Sequence, residues 1–97
     1  MLLVHGTCVD LDGRGILLRG PSGSGKSDLA LRLIDGGARL VADDQVELRR
    51  DGHRVLARAP ITLSGRMEVR GLGIVPLPYV TEAALHAVID LVAPQAV

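Results

Sequence analysis

Aromatic residues are almost absent from this chain of 97 residues. It contains no phenylalanine or tryptophan, and Tyr79 is its one tyrosine. The core must therefore be aliphatic, and the mixture of basic and aromatic side chains that binds single-stranded nucleic acid is missing. Eleven basic residues balance eleven acidic ones, so no net charge attracts nucleic acid or an anionic membrane. The composition predicts no nucleic-acid partner.

Cysteine and long hydrophobic runs are scarce as well. The single cysteine, Cys8, excludes an internal disulfide and is typical of a cytoplasmic protein. Apolar runs are short and are interrupted by glycine, proline or charge, which predicts no membrane span and no signal peptide. The length is that of one small domain. We expect a single cytoplasmic domain over residues 1–97 that does not bind a membrane.

Lysine is rare too, and the one lysine lies in the most informative segment. The pattern G-x-x-x-x-G-K-S of a phosphate-binding loop is complete at Gly20, Pro21, Ser22, Gly23, Ser24, Gly25, Lys26 and Ser27. Glycines let backbone N–H groups close around phosphate oxygens. Lys26 can neutralise the β- and γ-phosphates, and the Ser27 hydroxyl can coordinate Mg²⁺. Because an apolar strand precedes this segment and a helix follows it, the pattern predicts binding of a nucleotide or polyphosphate.

The pattern along the chain predicts an α/β fold with a P-loop core. A strand at 15–19, a helix from Lys26 to Asp35 and a strand at 38–42 form a strand–loop–helix–strand unit, for which we expect parallel central strands. Residues 45–57 predict an antiparallel hairpin at the edge of the sheet. Residues 85–92 fit either a helix or a buried strand.

Two carboxylates, Asp43 and Asp44, follow the strand that comes after the helix. Side chains alternate along a strand, so the two cannot point the same way without a bend. One of them could join the Mg²⁺ shell, with Asp43 as our candidate metal ligand, while the other faces an incoming nucleophile. The simpler alternative is an acidic turn at the end of a strand.

Four segments together resemble the catalytic domain of HPr kinase/phosphorylase, a bacterial enzyme that acts on a serine of the phosphocarrier HPr. In order, they are His5-Gly6, the loop with Lys26-Ser27, residues 40–44 and residues 67–74. The last segment is the specific one, because general P-loop NTPases do not carry it. The resemblance runs from His5 to about Asp90 and implies the fold shared by HPr kinase and PEP carboxykinase. Since no N-terminal domain precedes the loop, the chain resembles the short proteobacterial form.

The resemblance also implies a role for each matching residue. The loop and Lys26 would hold ATP or pyrophosphate, and Asp44 would accept the proton of the HPr serine. Glu68 would be a second Mg²⁺ ligand, and His5 an active-site histidine. HPr or a paralogous phosphocarrier would be the partner, and the family's hexamers imply a homo-oligomer.

The chain departs from the family pattern at its C-terminal end. A further catalytic arginine, a mobile loop and the helices that help to contact HPr would all fall after Val97. Two alternatives therefore stay open at this point. One is a nucleotide-sensing binding module that transfers phosphate poorly, which binding without turnover would reveal. The other is a general P-loop ATPase or small-molecule kinase, which the 68–74 segment disfavours.

Overall fold

A computed structural model describes residues 1–21, 23–60, 65–69 and 72–92, with Glu68 and Val69 described by their backbone alone. Within these ranges the chain forms one helix and nine strands. Their bounds are β1 Leu2–His5, β2 Thr7–Leu11, β3 Arg14–Arg19, α1 Lys26–Asp35, β4 Arg39–Ala42, β5 Gln45–Asp51, β6 Arg54–Arg58, β7 Arg66–Val69, β8 Gly73–Pro76 and β9 Ala83–Asp90. The predicted helix is confirmed at both ends. Residues 83–90 form a strand, so the helical alternative for the last segment is wrong.

The main sheet is mixed and curled, with the strand order β1-β5-β6-β9-β3-β2-β4. The expectation of parallel central strands is correct only for β3 and β9, because every other pair is antiparallel. The strands on either side of the loop and helix, β3 and β4, are separated by β2. Asp12 and Gly13 explain this arrangement, since both have positive φ (52° and 85°) in a two-residue turn that folds β2 back onto β3. Because of this turn, β2 occupies the position beside β3, and β4 cannot pair with β3 as the predicted parallel arrangement would require.

The hairpin predicted at 45–57 is present, but it does not lie at the sheet edge. Asp51 pairs with Arg54 across the turn, as expected for β5 and β6. The outer side of β5 is covered by β1, and β6 pairs with β9 through Leu56 and Ala57. The hairpin is therefore internal to the sheet, because the N-terminal strand satisfies the hydrogen-bonding groups that an edge would leave open.

A bend in one long antiparallel ribbon curls the sheet. The ribbon consists of β1 and β2 on one side and of β4 and β5 on the other. Its register pairs His5 with Gln45 and Cys8 with Ala42. If that register is continued through the bend, Gly6 falls opposite Asp44 and Thr7 falls opposite Asp43. The bend thus brings Asp44, the predicted proton acceptor, and Asp43, the predicted metal ligand, next to the start of the chain.

The core is aliphatic, as the composition predicts, and it is divided between the two faces of the sheet. The cluster between α1 and the main sheet contains Val9, Leu18, Ala38 and Leu40 together with Ala30 of α1 and Met67 of β7, which pairs with β8 in a separate two-stranded sheet. The opposite face carries Cys8, Leu17, Val41, Ala42, Val46, Ala57, Ala59 and Ala83. Neighbouring residues such as Leu17 and Leu18 belong to opposite faces, as strand alternation requires. Burial of this kind stabilises a domain by roughly 25 cal/mol per Å² of apolar surface.

Cys8 behaves as a small buried hydrophobic residue, as we expected from the sequence. It is fully buried and free of any disulfide. Burial, and secondarily the nearby Asp10 carboxylate, raises the pKa of its thiol to about 12. The ten-residue α1 is too short to cross a bilayer, and the described ranges contain no helix that is long and apolar enough to do so.

Candidate functional site

The glycine-rich loop joins the end of β3 to the start of α1 and adopts a backbone that needs its glycines. Gly23 and Gly25 have φ values of 81° and 98°, in the left-handed region. At Gly20, a Cβ atom would lie 2.6 Å from the carbonyl oxygen of Leu91 and 2.7 Å from the Ser24 hydroxyl oxygen. No L-residue with a side chain could replace Gly20 without moving the backbone. Ser22, which belongs to the predicted loop, lies outside the described residues.

Lys26 lies at the first position of α1 and folds back over the loop. Its ammonium group donates hydrogen bonds to the carbonyl oxygens of Gly20 and Pro21, the latter at 3.1 Å. Gly25 caps the helix without a side-chain hydrogen bond, and Ser27 follows in the first turn. The helix end contributes partial positive charge and backbone N–H groups. Together these groups form a cationic, donor-rich surface of the kind that binds phosphate.

The two predicted carboxylates belong to a tight turn, in which Asp43 is the first residue and Asp44 is the central one. Asp44 has a φ of 72°, and the Gln45 amide donates to the Asp43 carbonyl oxygen at 2.9 Å. A hydrogen bond between residues two apart with positive φ between them defines a classic γ-turn, which is rare and strained. Strained backbone of this kind clusters at functional sites. The sequence analysis left open whether the chain bends between Asp43 and Asp44, and the structure has a bend there.

Asp44 lies beside His5, and the family resemblance implies a catalytic role for both residues. Asp44 Oδ1 is 3.3 Å from His5 Nδ1, and the side chains are 69% and 58% exposed. The Gly6 amide donates to the Asp44 carbonyl oxygen at 3.0 Å, which ties the γ-turn to the start of the chain. An exposed carboxylate beside an imidazole can exchange a proton with a group on another protein. The structure thus brings two of the predicted catalytic residues into contact.

Asp43 faces a different partner, Thr7, which the sequence analysis did not single out. The Thr7 hydroxyl donates to Asp43 Oδ1 at 3.0 Å, and Thr7 is only 1% exposed. In the sequence Thr7 is simply part of the link between two strands. Only the pairing of that link with the end of β4 shows its contact with Asp43. The two carboxylates therefore have distinct surroundings, with Asp43 bonded to Thr7 and Asp44 beside His5.

Strand pairing places the loop and the carboxylates at the same end of the sheet. The first residues of β2 pair with the last residues of its neighbours, Thr7 with Leu18 of β3 and Cys8 with Ala42 of β4. The chain therefore leaves β3 into the glycine-rich loop, and leaves β4 into Asp43, on the two sides of Thr7. A phosphate group on the loop would lie on the same end of the sheet as the carboxylates.

The donor groups at this end suit Mg²⁺ bound together with a nucleotide. Mg²⁺ is usually held by one or two carboxylates, a hydroxyl and the phosphate oxygens of its substrate. Ser27 and Asp43 carry hard oxygen atoms of the kind that Mg²⁺ prefers, and the Ser24 hydroxyl oxygen is buried with no hydrogen-bond partner among the described residues. Among all the residues that the structure describes, no three His, Cys, Asp or Glu side chains lie close enough together to hold a metal by themselves. The residues fit a cation that arrives with phosphate.

The segment that contains Glu68 contacts α1 and β4, the helix after the glycine-rich loop and the strand before Asp43. Met67, in β7, is 1% exposed and packs in the cluster that α1 covers. The Leu40 amide in β4 donates to the Pro78 carbonyl oxygen at 2.8 Å, just after β8. The Glu68 side chain is not described, and Arg70 and Gly71 of the predicted motif lie outside the described residues. The metal role of Glu68 therefore stays a prediction.

Comparisons with known proteins show which family the chain is related to. The sequence profile of the HPr Serine kinase C-terminal domain matches residues 1–86. The HPr kinase/phosphorylase of Clostridium tetani is 46% identical over 88 residues, 91% of this chain and 28% of that protein. The enzyme of the same name from Clostridium acetobutylicum is 48% identical over 75 residues, 77% of this chain and 25% of that protein.

A solved structure is similar over the whole chain. The structure of the Hpr(Ser) kinase/phosphatase from Coxiella burnetii superposes with a TM-score of 0.90 at 29% identity, covering 100% of this chain and 69% of that one. By contrast, the chain spans only about a quarter of the length of the two clostridial relatives.

Proposed function

Because the chain belongs to the family of the HPr serine kinase C-terminal domain, we propose that it transfers the γ-phosphoryl group of ATP to a serine of HPr or of a paralogous phosphocarrier. The His5–Asp44 contact on the strained turn is the observation that carries this proposal. It lies at the same end of the sheet as the glycine-rich loop. The related enzymes are named HPr kinase/phosphorylase.

In this proposal the glycine-rich loop acts as a P-loop and binds ATP. The amides of residues 20–27 would cradle the phosphates, and the Lys26 ammonium would exchange a loop carbonyl for a phosphate oxygen. Ser27 and Asp43 would hold Mg²⁺, with Glu68 as a further ligand from the family resemblance. When bound, Mg²⁺ neutralises charge that develops on the transferring phosphoryl group.

Asp44 is the proton acceptor in this proposal. The serine oxygen of the phosphocarrier attacks the γ-phosphorus, its proton passes to the Asp44 carboxylate, and the bond to ADP breaks. His5, in contact with the same carboxylate, orients it toward the serine. In phosphorolysis, an inorganic phosphate oxygen attacks the phosphorus of phosphoserine, the bond to the serine oxygen breaks, a proton of the attacking phosphate reaches that oxygen through Asp44, and pyrophosphate leaves. The exposure of Asp44 supports a substrate as large as a protein.

Phosphoryl transfer from γ-labelled ATP to purified HPr tests the proposal, with Asp44→Asn as the diagnostic variant. Asparagine tolerates positive φ, so the γ-turn should persist while the base is lost. We expect label on an HPr serine with the wild type, a loss of roughly 10²–10⁴-fold in Asp44→Asn, and nucleotide affinity within about twofold.

Asp12→Asn is the matched control, because Asp12 also has positive φ but lies in the turn at the opposite end of β2. It should transfer phosphate like the wild type. Equal transfer by Asp44→Asn and the wild type would contradict the proton-acceptor role. Binding of Mg-ATP without any transfer by the wild type would instead support the nucleotide-sensing module.

A further inference from the structure

We propose that Thr7 is a positioning residue, whose hydroxyl holds the Asp43 carboxylate in the orientation that receives the cation of a bound nucleotide. The inference rests on the proposed function, because it takes Asp43 as a ligand of that cation. Thr7 itself would touch neither the nucleotide nor the metal.

The contact between the two side chains is direct and partly buried. The Thr7 hydroxyl donates to Asp43 Oδ1 at 3.0 Å, and Thr7 is 1% exposed. A buried hydroxyl is costly to leave without a partner, and a carboxylate is a strong acceptor for it. The hydrogen bond holds one oxygen of Asp43 toward Thr7 and thereby sets the orientation of the carboxylate group.

Asp43 lies where the chain bends. It is the last residue before the strained turn at Asp44, and its own carbonyl oxygen already accepts the Gln45 amide. Thr7, by contrast, begins a strand that is paired on both sides, with β3 and with β4. Its branched side chain also restricts χ1. A rigid donor on a central strand thus holds a carboxylate on a bend.

Hydrogen bonds of this kind orient metal ligands in many proteins. Their removal commonly weakens metal affinity by about 10–100-fold while the ligands themselves remain. The hydroxyl, rather than the shape of Thr7, is the group that matters in our inference. Valine has the same shape without the hydroxyl, and serine has the hydroxyl without the methyl group, so these substitutions separate the two contributions.

The test measures Mn²⁺ binding to the full chain in the presence of ADP, by the electron paramagnetic resonance signal of free Mn²⁺ relative to the same amount of ADP without the chain. We expect Thr7→Val to weaken Mn²⁺ binding by about 10-fold, while Thr7→Ser stays within about twofold of the wild type. Affinity for ADP in the presence of EDTA should be unchanged in both variants. A purely structural role of Thr7 would affect metal-free ADP binding and the metal alike.

A double-mutant comparison ties the effect to Asp43. Asp43→Asn should weaken Mn²⁺ binding by itself, and adding Thr7→Val in that background should cause no further loss. If Thr7→Val does not fold, judged by circular dichroism, Thr7→Ser and Thr7→Ala replace it, because these two differ by a single oxygen atom. The same difference in Mn²⁺ affinity is then expected between them.

Three results would overturn the inference: unchanged Mn²⁺ affinity in Thr7→Val, an equal loss in Thr7→Ser, or a further loss in the Asp43→Asn background. Each of them leaves the proposed function intact, because the wild type still binds Mn²⁺ and ADP. If the wild type binds neither, the proposed function fails and the role of Thr7 fails with it.

Discussion

Replacement of Gly6 by alanine tests whether the close approach of Gly6 to β3 stabilises the fold and positions the Asp44 turn. A Cβ atom at Gly6 would lie 2.7 Å from the Leu18 carbonyl oxygen and 3.1 Å from Leu17 Cδ1. The Leu18 oxygen belongs to the backbone of a central strand and cannot move aside as a side chain can. The Gly6 amide also donates to the Asp44 carbonyl oxygen at 3.0 Å, so a shift of Gly6 disturbs the turn that carries Asp44.

The expected cost follows from these two effects. Overpacking against a backbone atom costs about 1–3 kcal/mol, and weakening one buried hydrogen bond adds about 1 kcal/mol. We therefore expect Gly6→Ala to lower the free energy of unfolding by about 3 kcal/mol. In a domain of this size, that corresponds to a fall in Tm of roughly 12–24 °C.

Urea denaturation followed by far-UV circular dichroism measures this change, since the chain has no tryptophan to report by fluorescence. Gly36→Ala is the matched control. Gly36 has a φ of −83°, and the nearest atom to its Cβ position is 3.5 Å away. We expect this control to be neutral or stabilising by up to about 1 kcal/mol. Equal urea midpoints for the two variants would refute the close approach of Gly6 to β3.

Two further predictions concern Lys26 and Cys8. Lys26→Ala should reduce nucleotide affinity by at least about 10-fold, because a charge-assisted contact is lost, and calorimetric titration with ATP would detect it; unchanged affinity would show that Lys26 does not contact phosphate. For Cys8, the raised pKa means that the folded state retains the thiol proton where the unfolded state loses it. Its contribution to stability is complete below about pH 9 and is lost as the pH rises toward 12. Relative to Cys8→Ala, the free energy of unfolding of the wild type should therefore fall above pH 9 by at most about 1.4 kcal/mol per pH unit. If the difference in urea midpoint between the wild type and Cys8→Ala is the same at pH 8 and at pH 10.5, the burial of the thiol is contradicted.

Local patterns in the sequence were sufficient for several elements. The bounds of α1 followed from its apolar spacing and from the glycines at its end, and the hairpin at 45–57 followed from its turn residues. Both depend on contacts between residues close in the chain. The position of that hairpin within the sheet was wrong, because covering its outer side requires β1, which lies far away in the sequence.

The sequence by itself determined the chemistry that is available here: a glycine-rich loop with one lysine, two successive carboxylates and an aliphatic core. Those properties are carried by residue types and short spacings. Only the tertiary structure decided that β2 separates β3 from β4, that His5 contacts Asp44, and that Thr7 holds Asp43. Thr7 and Asp43 are 36 positions apart, and strand pairing at that distance depends on register and on the bend at Gly6. Such long-range pairing leaves no periodic signal in a single sequence, because it is fixed by how the whole sheet closes.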